Sequence, residues 1–180
     1  MNVLANKRLD LDIINIISDL STELQIKAFL VGGYVRDLIL DRKSKDIDIL
    51  IVGDGISFAN EVKKKLHGKV DLQIFKNFGT AMIIYDGFEI EFVGSRKESY
   101  QKNSRNPSIT VGTFEDDISR RDFTINSIAI SLNKKDKGEI IDLYGNPSSI
   151  HTKGRNIKNI LELSRRRIAF LINCVPKNII

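Results

Sequence analysis

Residues 45–52 read Lys-Asp-Ile-Asp-Ile-Leu-Ile-Val, and their acids and isoleucines alternate with period two. Asp46 and Asp48 share one face, while Ile47, Ile49 and Ile51 share the other. That pattern requires a strand with one face packed on a core. Just upstream, the apolar run Ala28–Val31 ends in Gly32-Gly33, which reads as a buried strand and a turn. Residues 34–40 follow as a short helix. A strand, a glycine turn, a helix and a return strand thus lie in one stretch. They place the glycines and the two aspartates at the same end of adjacent strands.

The remaining periodicities fill in an α+β chain. Leu9, Ile13, Ile16, Ile17, Leu20 and Leu24 predict an amphipathic helix over 9–24. Phe58, Val62 and Leu66 predict another over 57–66. Strands are expected at 70–75, 81–85 and 88–93, with Asp86-Gly87 as a hairpin turn. Residues 96–110 are polar and basic and read as a loop. Residues 120–128 read as a helix running into a strand at 128–132, with a last strand at 139–143 and a basic helix at 157–172. The expected architecture is a small mixed sheet with helices packed on one side.

Composition narrows the chemistry. One cysteine, Cys174, excludes a disulfide framework, and two histidines leave little for a histidine metal site. The apolar run 168–175, broken by Asn173, is too short to span a bilayer, and the N-terminus lacks the apolar core of a signal peptide. The expectation is a cytoplasmic protein with no membrane partner. The net charge is +5, but residues 151–180 hold seven Lys/Arg against Glu162 alone. The basicity therefore lies in the tail, either as a nucleic-acid contact or as a solvated helix face.

Four groups of residues can carry chemistry. Gly32 and Gly33 permit close backbone approach at a helix start, where free N–H groups favour an anion, and Arg36 stands one turn further on. Asp46 and Asp48 repel unless a cation lies between them, and Mg²⁺ prefers such oxygen ligands. Glu91 would complete a carboxylate triad if its strand neighbours theirs. On a helix, Asp122 and Asn126 would face together and could hold sugar hydroxyls, beside the phosphate-binding pair Arg120 and Arg121. Taken singly, each group also describes a tight turn, a solvent-facing strand edge or a cap with surface charges.

Taken together, FLVGGYVRDLIL, KDIDILIVG, EIEFVGSRKESY and EDDISRRDFTINSIAI resemble the head domain of the tRNA nucleotidyltransferase/poly(A) polymerase family. More narrowly they resemble class II bacterial CCA-adding enzymes, of the polymerase-beta-like nucleotidyltransferase superfamily. The resemblance covers residues 24–146. It implies that Gly32 and Gly33 cradle a triphosphate, that Arg36 pairs with its phosphates, and that Asp46 and Asp48 bind Mg²⁺. It implies Glu91 as the third carboxylate. Arg121 would contact the nucleotide, with Arg120 beside it, and Asp122 and Asn126 would hold the ribose. Gly79-Thr80-Ala81 matches a strand-entry motif, and the basic loop 96–105 would lie near the primer entrance.

The implied activity is addition of CMP or AMP from CTP or ATP to the 3′ end of tRNA. The implied domain layout is a head over residues 1–146 and a basic segment, 147–180, as a truncated or degenerate start of the family's neck. The neck's Glu-Asp-x-x-Arg motif, which reads the base, has no intact counterpart after Gly145; a separate chain or missing region would supply neck and body. Two rival readings are a non-catalytic RNA- or nucleotide-binding remnant and a minimal nucleotidyltransferase with another acceptor.

Overall fold

The computed structural model describes residues 9–39, 42–68, 70–99, 108–121 and 124–143. Its elements are α1 (Asp12–Glu23), β1 (Ala28–Val31), α2 (Gly32–Ile39), β2 (Asp46–Ile51) and α3 (Gly55–Lys65). There follow β3 (Leu72–Phe75), a 3-10 turn (Lys76–Phe78), β4 (Thr80–Tyr85), β5 (Phe88–Gly94), β6 (Arg96–Ser99) and β7 (Ser108–Val111). The last are α4 (Phe114–Ser119), a second 3-10 turn (Thr124–Ser127), β8 (Ile128–Ser131) and β9 (Ile140–Asp142).

Seven strands form one sheet in the order β3-β4-β5-β2-β1-β8-β9. Only β2 and β5 pair in parallel; the other ladders are antiparallel. The parallel pair needs a crossover, and α3 with the β3-β4-β5 meander supplies it. Alternation sorts the side chains cleanly. Leu30, Ile47, Ile49, Ile51, Ala81, Ile83, Ile90 and Phe92 point to one face. There Ile13, Ile14, Ile17 and Leu20 of α1, Val35 and Ile39 of α2, and Phe58 and Val62 of α3 close the main core.

The opposite face is only half covered. Phe29, Val31, Leu50 and Ala129 pack there against Phe114 and Ile118 of α4. The Phe29 and Phe114 rings lie 4.3 Å apart between centroids. The expectation of helices on one side is therefore corrected: α4 sits on the second face, over β1, β2 and β8. Beyond it, on the β3-β4-β5 half of that face, Phe75, Phe78 and Ile84 are exposed.

Two further expectations change. The segment read as a loop from 96 to 110 contains the β6-β7 hairpin, a separate two-stranded sheet. The helix read over 120–128 is not observed as such: α4 stops at Ser119, and a 3-10 turn spans Thr124–Ser127. The basic helix read at 157–172 lies outside the described residues. Among the described residues, no helix is long and apolar enough to cross a membrane.

Candidate active site

The site begins at the junction of β1 and α2. Gly32 has φ +69, a left-handed conformation that L side chains rarely adopt. A Cβ there would lie 2.5 Å from Asp48 Oδ2 and 3.8 Å from Arg121 Nη1. A glycine, a carboxylate and a guanidinium therefore meet at one point, and only glycine leaves room for the other two. Gly33 is less confined, since its Cβ would meet nothing closer than Arg36 Nη2 at 3.6 Å.

Asp48 is the centre of the cluster. It lies opposite Val31 of β1 on one side and Glu91 of β5 on the other. The β2-β5 register also sets Asp46 beside Glu89. Asp46, Asp48, Glu89 and Glu91 thus share the face on which α4 packs further along. Burial raises the Asp48 pKa, and the charges of Glu91 and Asp46 raise it further. The Arg121 guanidinium and a hydrogen bond donated by the Gly33 N–H act against that rise. This carboxylate is held where its own charge is costly unless a cation shares the space.

Arg121 reaches this point because a residue that the sequence reading passed over holds it. Asp117 of α4 is fully buried. Its Oδ2 accepts from Arg121 Nε at 3.3 Å and Nη2 at 3.0 Å. Its Oδ1 accepts from Arg120 Nε at 3.0 Å and Nη2 at 2.6 Å. One carboxylate thus receives two guanidinium forks, and Arg121 keeps Nη1 turned toward Gly32 and Asp48. The signal was present as Asp117-x-x-Arg120-Arg121, the i, i+3 and i, i+4 spacings that face together on a helix. In the acid-rich run Glu115-Asp116-Asp117 it reads as surface charge.

The other expected site residues are more dispersed. Arg36 is engaged within α2: its Nε and Nη2 fork onto Asp37 at 3.0 and 3.2 Å. Asn126 lies in the second 3-10 turn, which packs on α2. Its Oδ1 is buried, with no hydrogen-bond partner among the described residues. Asp122 lies outside the described residues, and Asn126 stands on a 3-10 turn where a helix was expected.

The donor set fits a hard divalent cation. Among the described residues, no three acidic, histidine or cysteine side chains converge closely enough to hold an ion as they stand. Mg²⁺ does not require such a cage, because it is commonly held by one or two carboxylates with phosphate and water completing its shell. Asp46 and Asp48, adjacent on one strand face and close enough to raise the Asp48 pKa, meet that need.

Comparison with known proteins points to one family. A family model described as the Poly A polymerase head domain matches residues 28–154. An A-adding tRNA nucleotidyltransferase of Aquifex aeolicus (strain VF5) is 38% identical over 120 residues, which are 67% of this chain and 14% of that protein. One from Halalkalibacterium halodurans is 34% identical over 135 residues, 74% of this chain and 31% of its own length. The chain thus spans 14% to 31% of these relatives. Among solved structures, a CCA-adding enzyme in its apo form II superposes with TM-score 0.68 at 37% identity, covering 79% of this chain and 34% of that one. A tRNA nucleotidyltransferase complexed with a primer tRNA and an incoming ATP analog superposes with TM-score 0.61 at 32% identity, covering 74% of this chain and 36% of that one. With the sheet, the glycine junction and the carboxylate face all in place over the matched residues, this chain belongs to the Poly A polymerase head domain family.

Proposed function

We infer that this chain is the catalytic head of a template-independent nucleotidyltransferase that adds CMP or AMP to the 3′ end of tRNA. The observation that carries the reading is the meeting of Gly32, Asp48 and Arg121 at one point, with Glu91 directly across the strand pair. In the reaction, an RNA 3′-oxygen forms a bond to the α-phosphorus of ATP or CTP. The bond from that phosphorus to the bridging oxygen breaks, and pyrophosphate leaves.

Each residue then has a task. Gly32 and Gly33 let the triphosphate approach the backbone at the start of α2. Arg121, aimed by Asp117, offsets phosphate charge, with Arg120 beside it. Arg36 reaches phosphate by leaving Asp37. Asp46 and Asp48 would hold Mg²⁺, which would polarise phosphate and make a hydroxyl more acidic. Glu91, opposite Asp48, accepts the proton of the attacking 3′-hydroxyl at its carboxylate. Asn126 Oδ1 accepts a hydrogen bond from a ribose hydroxyl, and Asp122 provides the second sugar contact. The head occupies residues 1–146 and the basic segment 147–180 follows it, in a cytoplasmic protein.

The test is incubation of the chain with tRNA lacking its CCA end, Mg²⁺ and labelled CTP or ATP. Label at the tRNA 3′ end, lost in Asp46→Asn and Asp48→Asn, is the expected result. Triphosphate binding with no incorporation would favour a nucleotide-binding remnant. Label on a non-RNA acceptor would favour a minimal transferase of another kind.

A further inference from the structure

Among the described residues, Asp117 is the one charged side chain that is fully buried. It stands on α4 between Phe114 and Ile118 in the chain, and both of those pack into the second core. Thr113 and Asp116 cap the helix reciprocally. The Asp116 N–H donates to Thr113 Oγ1 at 3.1 Å, and the Thr113 N–H donates to Asp116 Oδ2 at 2.9 Å. The backbone that carries Asp117 is thus anchored both by its cap and by its core. Each Asp117 oxygen receives the Nε–Nη2 edge of one guanidinium, Oδ1 that of Arg120 and Oδ2 that of Arg121. The two arginines are consequently held side by side, and Arg121 keeps Nη1 toward Gly32 and Asp48. Their side chains are 30% and 19% exposed, so a ligand can reach both, while the carboxylate beneath them is sealed from it. A buried ion cluster is a poor source of stability, because desolvation offsets most of its attraction. What this one supplies is a fixed spacing between two cations.

We propose that Asp117 is a positioning residue that makes the site selective for a polyphosphate over a single phosphate. It holds Arg120 and Arg121 as a pair, and only an anion with phosphates in a row engages both at once. A lone phosphate meets one guanidinium well and the other poorly, so it gains little from the pairing. The sign of the effect separates this role from two simpler ones. As a mere negative charge, Asp117 repels every anion, and its removal would strengthen monophosphate and triphosphate binding alike. As a mere strut for the fold, its removal would weaken both alike. As a positioning residue, its removal weakens the triphosphate and leaves the monophosphate at least as well bound. Asparagine is the informative replacement, because it has nearly the same shape but one acceptor oxygen. Its amide NH₂ would face a guanidinium, donor against donor, and one of the two arginines would lose its hold. The proposal rests on the nucleotidyltransferase reading for the class of ligand, and its test is separable from that reading.

The experiment titrates AMP, ADP and ATP, and inorganic phosphate and triphosphate, into the full chain at constant Mg²⁺ by calorimetry. The wild-type chain should bind more tightly with each added phosphate. In Asp117→Asn, ATP affinity should fall by about tenfold to a hundredfold, the range for one charge-assisted hydrogen bond, while AMP affinity does not fall. Asp117→Glu, which keeps the charge and both acceptor oxygens, should retain more of the preference for ATP. Circular dichroism checks that each variant is folded at the temperature of the titration. Arg120→Lys and Arg121→Lys test the same pairing with Asp117 intact, because lysine keeps the charge and lacks the fork. Each should lower the preference for ATP over AMP. A wild-type chain that binds AMP and ATP equally would overturn the proposal. So would a parallel change in both ligands in Asp117→Asn, or an unchanged preference in both lysine variants. A chain that prefers triphosphate to phosphate but transfers no label to tRNA would sink the nucleotidyltransferase reading and leave the proposal standing. Label transfer with a wild-type preference in Asp117→Asn would do the reverse.

Discussion

Asp48 is a residue placed at a cost to the fold. Its pKa is raised in the folded chain, first by burial and then by Glu91. Below the ordinary carboxylate range it is neutral both folded and unfolded, and the cost vanishes. As pH rises past that range the unfolded chain ionises first, so the penalty grows until the folded pKa is passed and then stays constant. Asp48→Asn should therefore raise the melting temperature of the metal-free chain at neutral pH and leave it nearly unchanged in strong acid, while abolishing nucleotide transfer. Thermal melts across a pH series check the first part. Gly32 is the complementary case. Gly32→Ala should weaken ATP binding and destabilise the chain by about 1–2 kcal/mol from the left-handed backbone alone, with the Asp48 collision added. Gly33→Ala, with no close neighbour for its Cβ, should be milder in urea denaturation. The glycine pair and the two aspartates were legible because period two and a strand-to-glycine junction are local. Which glycine is the tight one was not, because that depends on where Asp48 and Arg121 arrive from elsewhere in the chain.

At the scale of elements, two short helices carry separate lessons. Asp54 caps α3, accepting from the Ile56 N–H at 2.9 Å, the Ser57 N–H at 3.1 Å and the Ser57 hydroxyl at 2.6 Å. The Ser57 hydroxyl is the main cause of its lowered pKa. The stability it contributes is present above the ordinary carboxylate range and is lost as pH falls through the folded value. Asp54→Ala should thus cost about 1 kcal/mol at neutral pH and progressively less as pH falls below the ordinary carboxylate range, as read by denaturant midpoints across an acid series. In α4, Asp117→Ala would remove the carboxylate that both guanidiniums share, and a loss of about 1.5–3 kcal/mol is expected on calorimetry. Neither α4 nor the β6-β7 hairpin was legible as what it is. Phe114 and Ile118 give one apolar turn without a repeating stripe, and Arg96–Ser99 is too polar to read as a strand. Glu91 was legible as a strand acid, but its place opposite Asp48 came from the parallel pairing, which no local pattern encodes.

For the whole molecule, charge and site lie in different parts of the sequence. The matched family ends at residue 154, whereas Arg165, Arg166 and Arg167 lie beyond it. Replacing all three with glutamine should flatten the salt dependence of RNA binding by about two units of log–log slope and leave ATP affinity unchanged; titrations at several salt concentrations measure both. Within the matched part, a different economy operates. Arg121 borders Asp48 and Arg120 precedes it in the chain, yet both close on the one carboxylate of Asp117. They are not independent groups. A phosphate that draws Arg120 away leaves Asp117 with more of its charge for Arg121, and the converse holds equally. An anion held by one guanidinium is therefore expected to change the affinity of the other for a second anion, and thermodynamic reciprocity requires the same factor in both directions.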